Sequence, residues 1–329
     1  MSTQSFHHTD MRMSSICLGT ANYGSRMPQN DAFSQMDRYR DRGGNAIDTA
    51  AIYADWMSDE KSISEKTIGK WFQARKNRDQ VILSTKGGHP PLEDSSISRV
   101  WVPELEGDLE QSLKNLQTDY IDLYFLHRDN LAIGVEELLD WLEAKVKEGK
   151  IRYYGCSNWT LARIQEAQAV AESQNITGFV CNQVLMTLAK TAEDYVEKTQ
   201  MLTITPDMLR YHQQSGLGLM AYRAGAMGYY TKLKQHLPIS KEMAWLFGSE
   251  TNQAIFQKLA ELETDEIRIP DMLYHYVIDQ PFPSVAVASF SSDNQLIQAM
   301  GSMDKQMDSR AMAELAAILN APEKNGVHA

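Results

Sequence analysis

The chain has 329 residues, 43% of them hydrophobic and 23% charged, with a formal net charge of −11. That is the composition of a globular protein long enough to bury a sizeable core. The acidic balance repels phosphate backbones and argues against a nucleic-acid partner. The opening "MSTQSFHHTDMRMSS" has no long apolar segment, so neither a signal peptide nor a membrane span is expected, and a cytoplasmic location is.

Short apolar runs alternate with helical periodicity along the whole chain. The first strand is expected at "SICLG" (15–19), followed by the helical pattern "DAFSQMDRYRDRG" (31–43). "NAID" (45–48) then precedes "SEKTIGKWFQAR" (64–75). Strand 3, "VILST" (81–85), leads into a long connection from Gly87 to about Pro103 before "ELEGDLEQSLKNL" (104–116). Strand 4, "YIDLYFL" (120–126), precedes "GVEELLDWLEAKVKEG" (134–149), where Leu138, Leu142 and Val146 recur every four residues and Gly149 is the expected stop. Strand 5, "IRYYGC" (151–156), precedes "TLARIQEAQAVAES" (160–173), and "GFVCN" (178–182) reads as strand 6. Strand 7, "GLGLMAY" (216–222), is followed by a second long connection, from Arg223 to about Thr251. "SVAVA" (284–288) is strand 8.

Eight such alternations without a linker predict one domain over residues 1–329, an α/β fold of the closed (β/α)8 TIM-barrel type. Loops as long as those after strands 3 and 7 are usually functional. Cys17, Cys156 and Cys181 sit in apolar runs without zinc-type spacing, so they read as small buried hydrophobes and no metal is expected.

The strand ends are polar. Strand 2 ends in Asp48, strand 3 in Lys86, strand 4 in His127. Strand 5 runs into Ser157-Asn158, strand 6 ends in Asn182-Gln183, strand 7 in Tyr222-Arg223, and strand 8 runs into Ser289. In a barrel these ends share one face, where active sites are assembled. A single polar ending is what any strand leaving a core shows; seven with diverse chemistry are not. "DTAAIY" adds Tyr53, five residues after Asp48. A cation beside a phenol favours phenolate, and a tyrosine tuned that way can give or take a proton at a carbonyl or alcohol oxygen.

Here the residues resemble the aldo-keto reductase family. "GGNAIDTAAIY", "SISEKTIGKW", "VILSTKGG", "YIDLYFLHRDN", "YYGCSN" and "CNQV" look like that family's blocks, in its order, from Leu18-Gly19-Thr20 to about Ala299. The resemblance implies an NAD(P)-dependent oxidoreductase with Asp48, Tyr53, Lys86 and His127 as catalytic residues. Tyr53 would be the acid in reduction, Lys86 with Asp48 would depress its pKa, and His127 would orient the carbonyl. Ser157, Asn158 and Gln183 would hold the cofactor carboxamide, and Tyr222 would stack on the nicotinamide. Gly19, Thr20, Arg223, Gly225, Ser289, Ser291 and Gln295 complete the implied cofactor-binding set.

The chain also departs from the family pattern. Tyr222-Arg223-Ala224-Gly225-Ala226 replaces the usual Tyr-Ser-Pro-Leu-Gly. After strand 8, Ser289, Phe290, Gln295 and Ala299 stand where NADP-selective relatives often carry basic and hydroxyl residues, an arginine and an asparagine. Weak discrimination between NADP and NAD is therefore expected. Tyr23, Trp56, His89, Trp101, Arg128, Asp129 and Trp159 are the expected substrate residues, beside Ala21 where many relatives have tryptophan. Indole faces with Arg and Asp suit a small-molecule carbonyl or polyol, such as a sugar. Two other readings are an NAD-linked sugar dehydrogenase running oxidatively and a non-catalytic nucleotide-binding barrel subunit.

Overall fold

The computed structural model describes residues 2–57 and 59–321. Eight parallel strands close into a barrel: β1 (Ile16–Gly19), β2 (Ala46–Asp48), β3 (Ile82–Gly87), β4 (Ile121–Leu126), β5 (Ile151–Ser157), β6 (Cys181–Leu185), β7 (Gly218–Tyr222) and β8 (Ser284–Ala288). β8 pairs with β1 and so closes the ring. The outer helices are α1 (Gln29–Asp41), α2 (Ile63–Arg75), α3 (Val102–Leu116), α4 (Val135–Lys147), α5 (Leu161–Gln174), α6 (Pro206–Ser215), α7 (Ile269–Ile278) and α8 (Asp293–Ser302). Gly149 follows α4 at φ +75°, the left-handed position a helix stop requires.

Side chains alternate across a strand, and the alternation builds two cores. Outward residues such as Ile16, Leu18, Ile47, Leu83, Tyr124, Leu126 and Tyr154 pack against the helices. Inward residues Cys17, Ala46, Leu123, Phe125, Cys181, Met220, Val285 and Val287 fill the barrel. Below them an antiparallel hairpin (Thr3–Ser5 with Arg12–Ser14) brings Phe6, Met11 and Met13 against the barrel floor. The three cysteines are free and buried, as expected, and no metal-binding cluster occurs among the described residues. No helix among them is long and apolar enough to cross a membrane.

Two expectations need correction. The strand expected at 178–182 is Cys181–Leu185, so Asn182 and Gln183 lie inside β6 rather than at its end. The connection after β7 is not an open loop. It folds into two short helices, Tyr229–Lys234 and Lys241–Phe247, before the longer helix Glu250–Leu262 begins near its expected end. These dock on the segment after β6: Ala192 N–H donates to the Leu246 carbonyl at 2.9 Å, and Asn252 Nδ2 to the Lys190 carbonyl at 2.8 Å. The loop between β3 and α3 is long, as expected, with no regular element between Gly87 and Val102.

In α7, His275 is buried, with Nδ1 2.7 Å from Asp279 Oδ2 and Nε2 2.9 Å from the Ser302 carbonyl. Burial alone would keep the ring neutral, but the bonds to Asp279 and Ser302 outweigh it and raise its pKa. A raised folded pKa stabilises the fold fully below the unfolded value of about 6.5 and ceases to as pH rises through the folded one. The melting-temperature gap between the protein and His275→Gln should therefore be widest near pH 6 and narrow towards pH 9, both about these values. Thermal melts across that range check it.

Candidate active site

The inward parity that fills the barrel also delivers its mouth. Cys17 leads to Gly19, Ala46 to Asp48, Ser84 to Lys86, Phe125 to His127, Gly155 to Ser157, Met220 to Tyr222 and Val287 to Ser289, each two residues on. Register agrees: Gly19 pairs with Asp48, Asp48 with Ser84, and Ser157 with Gln183. Strand geometry thus carries these groups to one end of the barrel.

Lys86 is the hub. Its Nζ donates to Asp48 Oδ2 at 2.7 Å, to the Thr49 carbonyl at 2.7 Å and to the Tyr53 hydroxyl at 3.0 Å. Lys86 and Asp48 are each 1% exposed, so the pair is desolvated and the carboxylate must be satisfied on its other side. Ser84 Oγ and Gln183 Nε2 do this, donating to Asp48 Oδ1 at 2.7 and 2.9 Å. Burial would lower the Lys86 pKa, but Asp48 and Tyr53 more than offset it, and the ammonium stays charged. Ser84 and Thr49 were not foreseen. The period of two marks Ser84, which lies on the same face as Lys86.

Tyr53 sits in the turn after β2, its N–H on the Ala50 carbonyl at 3.0 Å. Its ring meets Trp56 and His127 edge-on, each with centroids 6.2 Å apart. Burial raises its pKa; Lys86 lowers it but does not cancel the burial, so the net shift is upward. The expected net depression is therefore corrected: the phenol is held protonated, and the ammonium limits the rise. His127 is buried, and burial together with His89, Arg128 and Lys86 pushes its pKa well down. The neutral ring carries one N–H, and its Nδ1 has no partner. His89 packs on it with centroids 4.7 Å apart.

Most of the expected cofactor residues lie at or just beyond the ends of β1, β5, β6, β7 and β8. Asn158 follows β5 at φ +61° and Arg223 follows β7 at φ +58°, both left-handed and neither a glycine. Asn158 Oδ1 accepts from the Tyr222 hydroxyl at 2.7 Å and the Leu202 N–H at 3.0 Å, while its Nδ2 donates to Ser157 Oγ at 3.0 Å. Arg223 lies 3.6 Å from Glu242 and its Nη1 is buried without a partner. Such an orphan donor fits an anion as partner. Gly19 is bare because a Cβ there would lie 2.8 Å from Ser289 Oγ, and that hydroxyl donates to the Gly19 carbonyl at 2.9 Å. Thr20 donates to the Asp48 carbonyl at 2.9 Å and is fully buried. Gly225 is half-buried beside Tyr274, while Ser291 and Gln295 are exposed and bonded to each other at 2.8 Å. A cation from elsewhere reaches the segment after β8: Arg38 of α1 pairs with Asp293 at 2.7 Å.

The substrate candidates divide. Trp56 is 48% exposed and Trp101 39% exposed, with His89 half-buried between their loops in sequence. Arg128 is half-buried next to His127. Tyr23 is buried with its hydroxyl on Gln35 at 2.8 Å. Trp159 is fully buried, with Nε1 on the Arg128 carbonyl at 2.9 Å and its ring against Phe179. Asp129 is engaged by Arg163 at 3.3 Å and by the Asn130 N–H at 2.8 Å.

Comparisons with known proteins bear on the fold and the family. A barrel similar to this one is that of an aldo-keto reductase from Bacillus halodurans in its holo form, with TM-score 0.72 and 19% identity over 98% of this chain and 99% of that one. Among curated proteins, an uncharacterized oxidoreductase, YrpG, of Bacillus subtilis is 33% identical over 67% of this chain and 65% of its own length. Norsolorinic acid reductase of Aspergillus flavus is 32% identical over 51% of this chain and 45% of its own. An aryl-alcohol dehydrogenase of Pestalotiopsis microspora is 30% identical over 51% and 46%. These matches span less than two thirds of each relative's length. The model of the aldo/keto reductase family matches residues 15–320, a span that takes in all eight barrel strands, and the chain belongs to that family.

Proposed function

We propose that the protein is an NAD(P)-dependent reductase of aromatic aldehydes and ketones. The observation that carries the reading is the Lys86 ammonium bonded to both Asp48 and the Tyr53 hydroxyl. The residues fit the cofactor: Ser157, Asn158 and Gln183 for the carboxamide, the Tyr222 ring for the nicotinamide face, and Arg223 for a phosphate. When bound, the cofactor supplies the hydride. The chain supplies the proton and the position. Tyr53, held protonated by burial, donates to the carbonyl oxygen, and Lys86 stabilises the phenolate left behind. Neutral His127 offers one N–H to the same oxygen.

The rim supports an aromatic substrate. Trp56, Leu92, Ile97, Trp101 and Leu131 are all exposed, on the loops after β2, β3 and β4. The last two loops are tied by Asn130 Nδ2 on the Val100 carbonyl at 3.1 Å. Large apolar side chains exposed on three loops that follow the strand ends favour a ligand with an apolar body. The sugar expected from the sequence has less support, because Tyr23, Trp159 and Asp129 have their polar groups engaged within the fold. The aryl-alcohol dehydrogenase among the relatives points the same way. A panel of benzaldehydes, aryl ketones and aldoses, followed by nicotinamide absorbance, tests it. Higher kcat/KM for aldoses than for benzaldehydes would return the site to sugars.

Cofactor preference should be weak. A 2′-phosphate wants free Arg or Lys, and Arg38 is held by Asp293. NADH and NADPH should differ in kcat/KM by less than about tenfold, or 1.4 kcal/mol. Asp293→Asn should release Arg38 and tighten NADPH over NADH, read as dissociation constants from protein-fluorescence quenching. A preference for NADPH above about a hundredfold in the unaltered protein would overturn this.

A further inference from the structure

Arg128 follows His127 directly, yet its charge has no acidic partner. Its Nη1 donates to the His127 carbonyl at 2.9 Å, and no carboxylate among the described residues lies within ion-pair distance. The acid beside it in sequence, Asp129, is turned to Arg163. The buried acid of the mouth, Asp48, is already taken up by Lys86, Ser84 and Gln183. Other enclosed cations are neutralised: Arg78 by Asp122 at 2.8 Å, and Arg163 by Asp129 and Glu166 at 3.3 and 3.0 Å.

The groups that sense the guanidinium most are uncharged phenols and imidazoles. Its charge is felt by the phenols of Tyr222, Tyr195 and Tyr53 and by the imidazoles of His89 and His127. Burial, reinforced by Arg128, holds His89 down at about 4, so that ring carries no charge near neutral pH. A half-buried guanidinium without a counter-charge is costly, and its planar fork matches a carboxylate with two parallel bonds. The place is set by chemistry: the preceding residue is His127, and the Tyr53 hydroxyl is among the groups that sense the charge. The aromatic rim would cover the body of a ligand whose acid group reached this fork.

We propose that Arg128 anchors a carboxylate on the carbonyl substrate, so that the preferred substrates are oxo-acids with an apolar or aromatic body. This rests on the reductase reading above and narrows its substrate class. Arg128 is a specificity residue here, distinct from the group that delivers the proton.

Two readouts test it. The first is the ratio of kcat/KM for 4-carboxybenzaldehyde to that for its neutral methyl ester. One charge-assisted pair should favour the acid by about ten- to a hundredfold. Arg128→Gln should bring the ratio to about one, and Arg128→Lys should restore part of it. The second is calorimetric binding of benzoate against benzamide to the protein with NADP+, which needs no turnover. Benzoate should bind more tightly, and only while Arg128 is present. Equal binding of benzoate and benzamide by the unaltered protein would overturn the proposal, as would a ratio unchanged in Arg128→Gln. A loss of NADP+ affinity in Arg128→Gln as large as the loss of benzoate affinity would also overturn it, assigning the guanidinium to the cofactor. Failure of both aldehydes to turn over, with benzoate binding intact, would sink the reductase reading and leave the carboxylate site standing.

Discussion

Tyr53→Phe is expected to lose about 10²–10⁴ in kcat while keeping cofactor affinity. The substitution removes one oxygen and leaves the ring, so the edge contacts with Trp56 and His127 persist. Lys86 keeps two of its three acceptors, Asp48 and the Thr49 carbonyl. Losing the third hydrogen bond costs about 1 kcal/mol, too little to unfold a barrel of this size. What disappears is the proton donor. Single-turnover kinetics with saturating cofactor read the chemical step, and fluorescence titration reads cofactor binding. Turnover at the unaltered rate would remove Tyr53 from the mechanism and leave the Lys86–Asp48 pair as a purely structural ion pair.

The barrel was legible in the sequence because parallel strands buried on both faces leave continuous apolar runs, and seven of the eight expected runs overlap their strands almost fully. The exception, "GFVCN", shows the limit. Phe179 and Val180 are as apolar as the strand that follows, and Phe179 is buried against Tyr154 and Trp159 before β6 begins. Hydrophobicity reports burial there, not strand pairing. The helices after β7 were hidden for a different reason. Tyr229–Lys234 and Lys241–Phe247 have six and seven residues, too few to show a period, and their docking on the segment after β6 is what holds them.

Within the site, position along a strand was readable and direction off it was not. Asp48, Lys86 and His127 obey the inward parity of their strands. Trp159 and Asp129 lie beyond strand ends, where no parity applies. Trp159 turned into the wall, and Asp129 turned to Arg163, 34 residues away. The sign of the Tyr53 shift was out of reach for a similar reason. The sequence places a cation nearby, but the sign depends on how fully the phenol is buried against that cation.

That balance makes Lys86 the sharper test. Lys86→Met is expected to lower kcat by about a hundredfold or more, acting through Tyr53 rather than through the substrate. Burial raises the Tyr53 pKa, and the Lys86 charge and hydrogen bond are what hold the rise in check. Without them the phenolate left after proton transfer has no stabilising charge. The sign follows directly: reduction needs the phenol and fails at high pH when the phenol ionises, so removing the cation moves this alkaline limb to still higher pH. Oxidation needs the phenolate, so its rise with pH moves the same way. The substitution also leaves Asp48 buried with no counter-charge, at a cost of about 3–5 kcal/mol. A thermal melt must therefore accompany the kinetics, with Asp48→Asn in the Lys86→Met background to relieve the orphan charge. The double variant should recover stability but not turnover, because no cation returns to Tyr53. If it recovers turnover as well, or if Lys86→Met raises KM with kcat unchanged, the lysine acts by holding the fold or the substrate, and tuning of Tyr53 by its charge is not how this site works.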